Sequence, residues 1–171
     1  VNAASPITLR EARFPDDGTA VRRLFREYAA GLDIDLAFQG FEEELAGLPG
    51  AYAAPGGAVL VAERGDRLLG CVAFRPLDPS TCEMKRLYVH PDARGQGIGE
   101  RLVAGVCERA RDRGYRRMRL DTLASMTSAL RLYAAAGFRF IPAYIFNPIP
   151  DARYLERDLG EVPGRSRTDA D

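Results

Sequence analysis

The 171-residue chain has one histidine, three cysteines and no formal net charge. Each shortage closes off a class of function. One histidine cannot build a histidine-rich zinc site, and no metal is expected. That histidine, His90, stands beside Pro91 in a turn, and no G-x-S-x-G accompanies it, which speaks against a Ser–His–Asp triad. Cys71, Cys82 and Cys107 show neither C-x-x-C spacing nor the density of a disulfide framework. Each falls in an apolar pattern, reads as a small core residue and fits a reducing compartment. With 24 basic and 24 acidic side chains, nothing global draws the chain to nucleic acid or to an anionic membrane. No apolar run approaches the roughly 18 residues of a membrane span. The N-terminal V-N-A-A-S-P lacks the charged and apolar regions of a signal peptide, so a cytoplasmic protein is expected.

What is present describes a globular chain, 46% hydrophobic and 28% charged. One domain over residues 1–159 is expected, with a polar, flexible tail over 160–171. Ile7 to Glu11 reads as a first strand. Val21, Leu24, Phe25, Tyr28 and Leu32 then mark one face of a helix. A shorter helix follows from Phe41 to Leu48. Ala58 to Glu63 and Leu68 to Phe74 form a hairpin about Gly65-Asp66. Cys82 to Val89 is the central strand, and a helix runs from the glycines after it to about Arg113, with Gly114 as its cap. Arg117 to Thr122 is a strand parallel to the central one, joined by a right-handed crossover. Ser125 reads as the N-cap of a helix ended by Gly137. Phe138 to Ile141 and Tyr154 to Leu159 close the sheet. The order β-α-α-β-β-β-α-β-α-β-β is an α/β sheet with helices on its faces.

The stretch from Cys82 to Gly99 carries the chemistry. Its apolar strand ends in His90-Pro91-Asp92, a turn signal. Arg94, Gly95, Gln96, Gly97 and Gly99 then lead into the stripe Ile98, Leu102, Val103, Val106, Cys107 and Ala110. A glycine-rich loop feeding a helix presents free backbone N–H groups and the positive end of a helix dipole. That combination suits phosphate. A dinucleotide fold is the competing reading, since Asp121 follows at a suitable distance. The G-x-G-x-G spacing, the proline-containing gap after the strand and the lack of a second βαβ half oppose it.

These residues resemble the GNAT superfamily of N-acetyltransferases. Arg94-Gly95-Gln96-Gly97-Ile98-Gly99 matches that family's Q/R-x-x-G-x-G/A loop, between a strand ending in V-H-P and an amphipathic helix. Ala129 to Phe138, A-L-R-L-Y-A-A-A-G-F, is similar to its A-x-x-L-Y-x-x-x-G-F. The resemblance implies a mixed, mostly antiparallel sheet of about seven strands, splayed at a parallel pair beside the cofactor. It implies acetyl-CoA as co-substrate, with its pyrophosphate on the backbone of Arg94 to Gly99. The strand end Leu87, Tyr88 and Val89 would also hold the cofactor, backbone groups of Leu87 and Val89 pairing with pantetheine. Tyr133 would protonate the leaving thiolate, and Glu83 would be the general base. Many relatives carry Asn where this chain has Met126; Ser125 and Ser128 stand nearby.

Plainer readings exist for several of these residues. By strand alternation Glu83, Lys85 and Leu87 share a face unless a bulge intervenes, and a strand glutamate is usually an exposed ladder partner. Tyr133 also reads as a core aromatic. Asp33, Asp35, Glu42, Glu43 and Glu44 read as a solvated helix start or as carboxylates bordering an amine site. Tyr144, Phe146 and Tyr154 suit the core, an acceptor pocket or a homodimer surface. The function expected is direct acetyl transfer to a primary amine, on a small molecule or a peptide. The rivals are a non-catalytic acyl-CoA sensor, an enzyme using another acyl-CoA, and a nucleic-acid role for the dispersed Arg109, Arg111, Arg113, Arg116 and Arg117.

Overall fold

The central strand organises the sheet, and its neighbours explain its unusual composition. In the computed structural model, which describes residues 5–32 and 34–160, strand β4 spans Thr81–Val89. The strands before it are β1 (Thr8–Glu11), β2 (Ala58–Arg64) and β3 (Arg67–Pro76). Those after it are β5 (Arg117–Leu123), β6 (Arg139–Ile141) and β7 (Ala152–Asp158). They form one seven-stranded sheet in the order β1-β2-β3-β4-β5-β7-β6. Among the described residues only β4 and β5 run parallel; the other pairs are antiparallel.

Among the described residues four α-helices cover the two faces: α1 (Gly18–Gly31), α2 (Phe41–Ala46), α3 (Ile98–Asp112) and α4 (Thr127–Ala135). The expected stripes are the buried ones. Val21, Leu24 and Phe25 of α1 meet Val59, Val61 and Ala73 on one face. Leu102, Val103 and Val106 of α3 meet Leu60, Val72 and Phe74 on the other. All three cysteines are buried and free, as their apolar settings suggested. Asp33 and the segment 161–171, the bulk of the expected tail, lie outside the described residues.

Two irregularities create the site. First, β4 and β5 pair only at Thr81↔Arg117, Cys82↔Met118 and Glu83↔Arg119. Beyond that point the two strands separate, leaving the rest of β4 without a neighbour on this side. Second, β4 carries a bulge. Cys71 pairs with Tyr88 and Ala73 with Lys85, so Arg86 and Leu87 together face Val72. Arg86 takes the extra place in a left-handed conformation, φ 62°. Lys85 and Arg86 therefore project to one side, and both donate to Gln39 Oε1. Leu87 returns to the α3 face. Strict alternation along this strand fails for that reason.

One local expectation is corrected. Met126, not Ser125, precedes the first turn of α4, and no side chain caps it. Ser125 instead accepts the Thr127 amide through its backbone carbonyl, at 3.0 Å.

Candidate active site

The separation of β4 from β5 opens three contiguous spaces. The outermost lies on the glycine loop, bounded by Arg94, Gly95, Gly97, Gly99 and Leu132. Gly95 and Gly97 have φ of 76° and 74°, a conformation that disfavours a side chain. Among the described residues, the amides of Gly95 to Glu100 donate to no acceptor in the protein. They meet at the N-terminus of α3, where the helix leaves its first amides unpaired. A diphosphate fits this donor set.

The second space is a groove of about 450 Å³ between the end of β4 and the start of α4. Leu87, Tyr88 and Val89 form one wall; Ser125 to Ala129 form the other. Arg94 Nε donates to the Val89 carbonyl at 3.0 Å, so the side chain of the loop's first residue locks the strand end. Met126, at the family's Asn position, takes the Thr122 hydroxyl on its sulfur at 3.6 Å and lines the groove.

The third space is a small cavity of about 60 Å³ beyond the groove, with Tyr28, Leu32, Leu87, Met126 and Ala129 common to both. Tyr133 reaches it from α4. Its ring packs on Phe138, and its hydroxyl has no hydrogen-bond partner among the described residues. Burial pushes the phenol pKa up, so the proton stays on oxygen. Opposite stand Lys85 from β4 and Asp121 from β5. Asn147, from the loop before β7, donates to Asp121 Oδ2 at 3.0 Å. Asp121 Oδ1 is 3.9 Å from Lys85 Nζ.

Glu83 is not on the wall of this cavity. It is 0% exposed, held by Arg75 at 2.9 Å on Oε1 and by the Tyr144 hydroxyl at 2.7 Å on Oε2. Burial, then the nearby Glu83 charge, raises the Tyr144 pKa. Tyr144 also stacks edge-on to Tyr154, while Phe146 is 86% exposed. The acidic stretch divides likewise. Glu44 is half-buried against Arg86, Glu42 meets Arg26 at the surface, and Asp35 caps the Ala37 amide. Sequence reasoning passed over Lys85, Arg86 and Asn147 as site residues. Two adjacent cations inside an apolar strand were the available signal for the first two. Asn147 had none, because it is placed by the β6–β7 loop.

The comparisons with known proteins agree with this geometry. The model of the acetyltransferase (GNAT) family matches residues 19–138. The chain belongs to the GNAT family. It is 38% identical to an uncharacterised N-acetyltransferase of Schizosaccharomyces pombe, over 92% of this chain and 98% of the relative. Two solved structures share the fold. An acetyltransferase from Staphylococcus aureus superposes with a TM-score of 0.75 at 20% identity, over 90% of this chain and 99% of that one. A Salmonella typhimurium protein solved with acetyl-CoA superposes at 0.71 with 22% identity, over 95% and 99%. This GNAT protein is an acyltransferase. Its seven-stranded sheet and single parallel pair are those the motifs implied.

Proposed function

We propose that this GNAT protein moves an acetyl group from acetyl-CoA directly to a primary amine of a small molecule. The observation that carries the reading is the continuous path from the unpaired amides of Gly95 to Glu100, along the free edge of β4, to the hydroxyl of Tyr133. The loop amides would hold the pyrophosphate, with Gln96 and Ile98 contributing backbone only. Leu87, Tyr88 and Val89 would flank pantetheine in the groove. Acetyl-CoA supplies a thioester carbonyl open to attack by an amine.

The residues around that point have complementary tasks. Tyr133, protonated and unpartnered, donates a proton to the departing sulfur. An amine nucleophile must first lose a proton. Asp121 faces the cavity and is oriented by Asn147, so it can take that proton without rearrangement. Glu83 would need Arg75 or Tyr144 to release it first. We therefore place proton removal on Asp121, with Glu83 fixing Arg75 and Tyr144 behind the site. Direct transfer is favoured because no cysteine is available as an acetyl carrier. All three are buried, and desolvation raises each thiol pKa, which suppresses the thiolate.

Thiol release from acetyl-CoA across a panel of amines tests the proposal. Turnover with at least one small amine supports it. Tight CoA binding without turnover of any acceptor favours a sensor instead. Greater thermal stabilisation by succinyl-CoA than by acetyl-CoA would assign another acyl donor. No helix among the described residues is long and apolar enough to cross a membrane. Two of the dispersed arginines serve the fold: Arg109 and Arg113 both pair with Glu11.

A further inference from the structure

Of the 24 lysine and arginine side chains, only Lys85 is a lysine. It lines the transfer cavity, 6% exposed and facing Asp121. Arg86 beside it is fully engaged, by Glu44 at 2.9 and 3.1 Å and by Gln39 at 2.9 Å. Lys85 is not. Among the described residues its one hydrogen bond is to Gln39 Oε1 at 3.1 Å, an oxygen it shares with Arg86. Asp121 lies beyond hydrogen-bond range at 3.9 Å. An ammonium has three donors, so a buried one with a single shared acceptor presents unmet donors to the cavity.

The charges also constrain what enters. Lys85, Arg86 and Asp121 line the cavity; Arg86 is committed to Glu44, and Arg75, off the lining, to Glu83, which leaves Lys85 and Asp121 as the uncommitted cation and anion. A plain alkylammonium drawn to Asp121 would lie against the Lys85 ammonium at low dielectric, which is unfavourable. An acceptor that carries its own carboxylate beside the amine removes the conflict. The carboxylate supplies the acceptors Lys85 lacks, and the amine meets Asp121 Oδ1. The small cavity, about 60 Å³, suits a compact head group.

We propose that the acceptor is a small amino carboxylate, a free amino acid or a close analogue, with its carboxylate on Lys85 and its amine on Asp121. This rests on the N-acetyltransferase reading above. Lysine suits the position because its compact point charge on a flexible stem fits a site that a planar guanidinium would fill.

The test compares wild-type enzyme on free glycine, alanine and serine with the matching amino-acid amides and with simple alkylamines. A charged hydrogen bond lost on neutralising the carboxylate predicts at least about a tenfold preference in kcat/KM for the free acids. Lys85→Met should collapse that preference to about unity, chiefly through KM, while calorimetry shows CoA affinity retained. Equal use of acids and amides, or a preference that survives Lys85→Met, overturns the proposal. Binding supplies a second readout. Selective ¹³C-lysine labelling gives a resonance from Lys85 alone, which should shift saturably with alanine in the presence of CoA and not with alaninamide. If nothing is turned over yet alanine shifts that signal, the acceptor class stands and the transfer reading falls. If neither acid nor amide shifts it, the acceptor class is wrong whatever the turnover.

Discussion

On the proposed reading, the two sides of the sheet's split recognise by different means. The donor side, Leu87 to Gly99, is continuous in sequence and offers mostly backbone: unpaired amides at the glycine loop and a free strand edge. The acceptor side is assembled from four separated segments, bringing Gln39, Lys85, Asp121 and Asn147 together through side chains. Backbone recognition depends on conformation, so it tolerates change in side chains and not in glycines. Side-chain recognition depends on register and packing elsewhere. The acceptor side is therefore where this chain can differ from its relatives without altering how a donor is held.

Breaking the acceptor side's support should have the largest effect. Glu44→Ala leaves the Arg86 side chain, 1% exposed, without its carboxylate. Loss of one partner of a buried pair costs about 3–5 kcal/mol; with Glu44 itself only half-buried the lower end is expected, read as a lower midpoint in denaturant unfolding. An unchanged midpoint would mean that the bulge at Arg86 does not depend on Glu44. Tyr133→Phe sits where the two sides meet. Removing a proton donor should lower kcat by about a hundredfold, with CoA affinity held within about twofold. In the same assay Asp121→Asn should lower kcat more than Glu83→Gln does. The reverse ranking would return the base to Glu83.

The donor side gives a sharper contrast at smaller cost. Gly97→Ala places a side chain at φ 74° and should cost about 1–2 kcal/mol, seen as weaker CoA binding by calorimetry. Gln96→Ala, one residue away, should leave CoA affinity unchanged, because only its amide faces the loop; its side chain pairs with Arg64. Equal effects at both positions would contradict backbone recognition. The smallest signal is at Lys85, whose pKa burial lowers. Between its folded value and the ordinary lysine range, the unfolded chain holds more protons than the folded one. Stability should therefore rise with pH across that window, and Lys85→Met should remove the slope.

The contrast also explains what could be read from the chain alone. The glycine loop is legible because its residues are contiguous and each glycine answers a local demand: two left-handed angles and a helix start. The element order followed from apolar periodicity, which the buried faces of α1 and α3 obey. The acceptor side was less legible. Glu83 held the family's base position, yet Arg75 and Tyr144 enclose it from β3 and from the β6–β7 loop. The bulge that turns Lys85 and Arg86 to one side has no glycine to announce it. Arg86 adopts that angle within the grip of Glu44, Gln39 and the rings of Tyr28 and Phe41. That is a tertiary cause, and no local pattern encodes it.

A single turnover with acetyl-CoA labelled in the acetyl carbon, offered to a mixture of small amines and amino acids, tests the joining of the two sides most directly. The label should appear as an N-acetyl group on an acceptor, with one free thiol per product and none of the label on the chain. Thiol release without a labelled acceptor, or label retained on the protein, would contradict direct transfer across the split sheet.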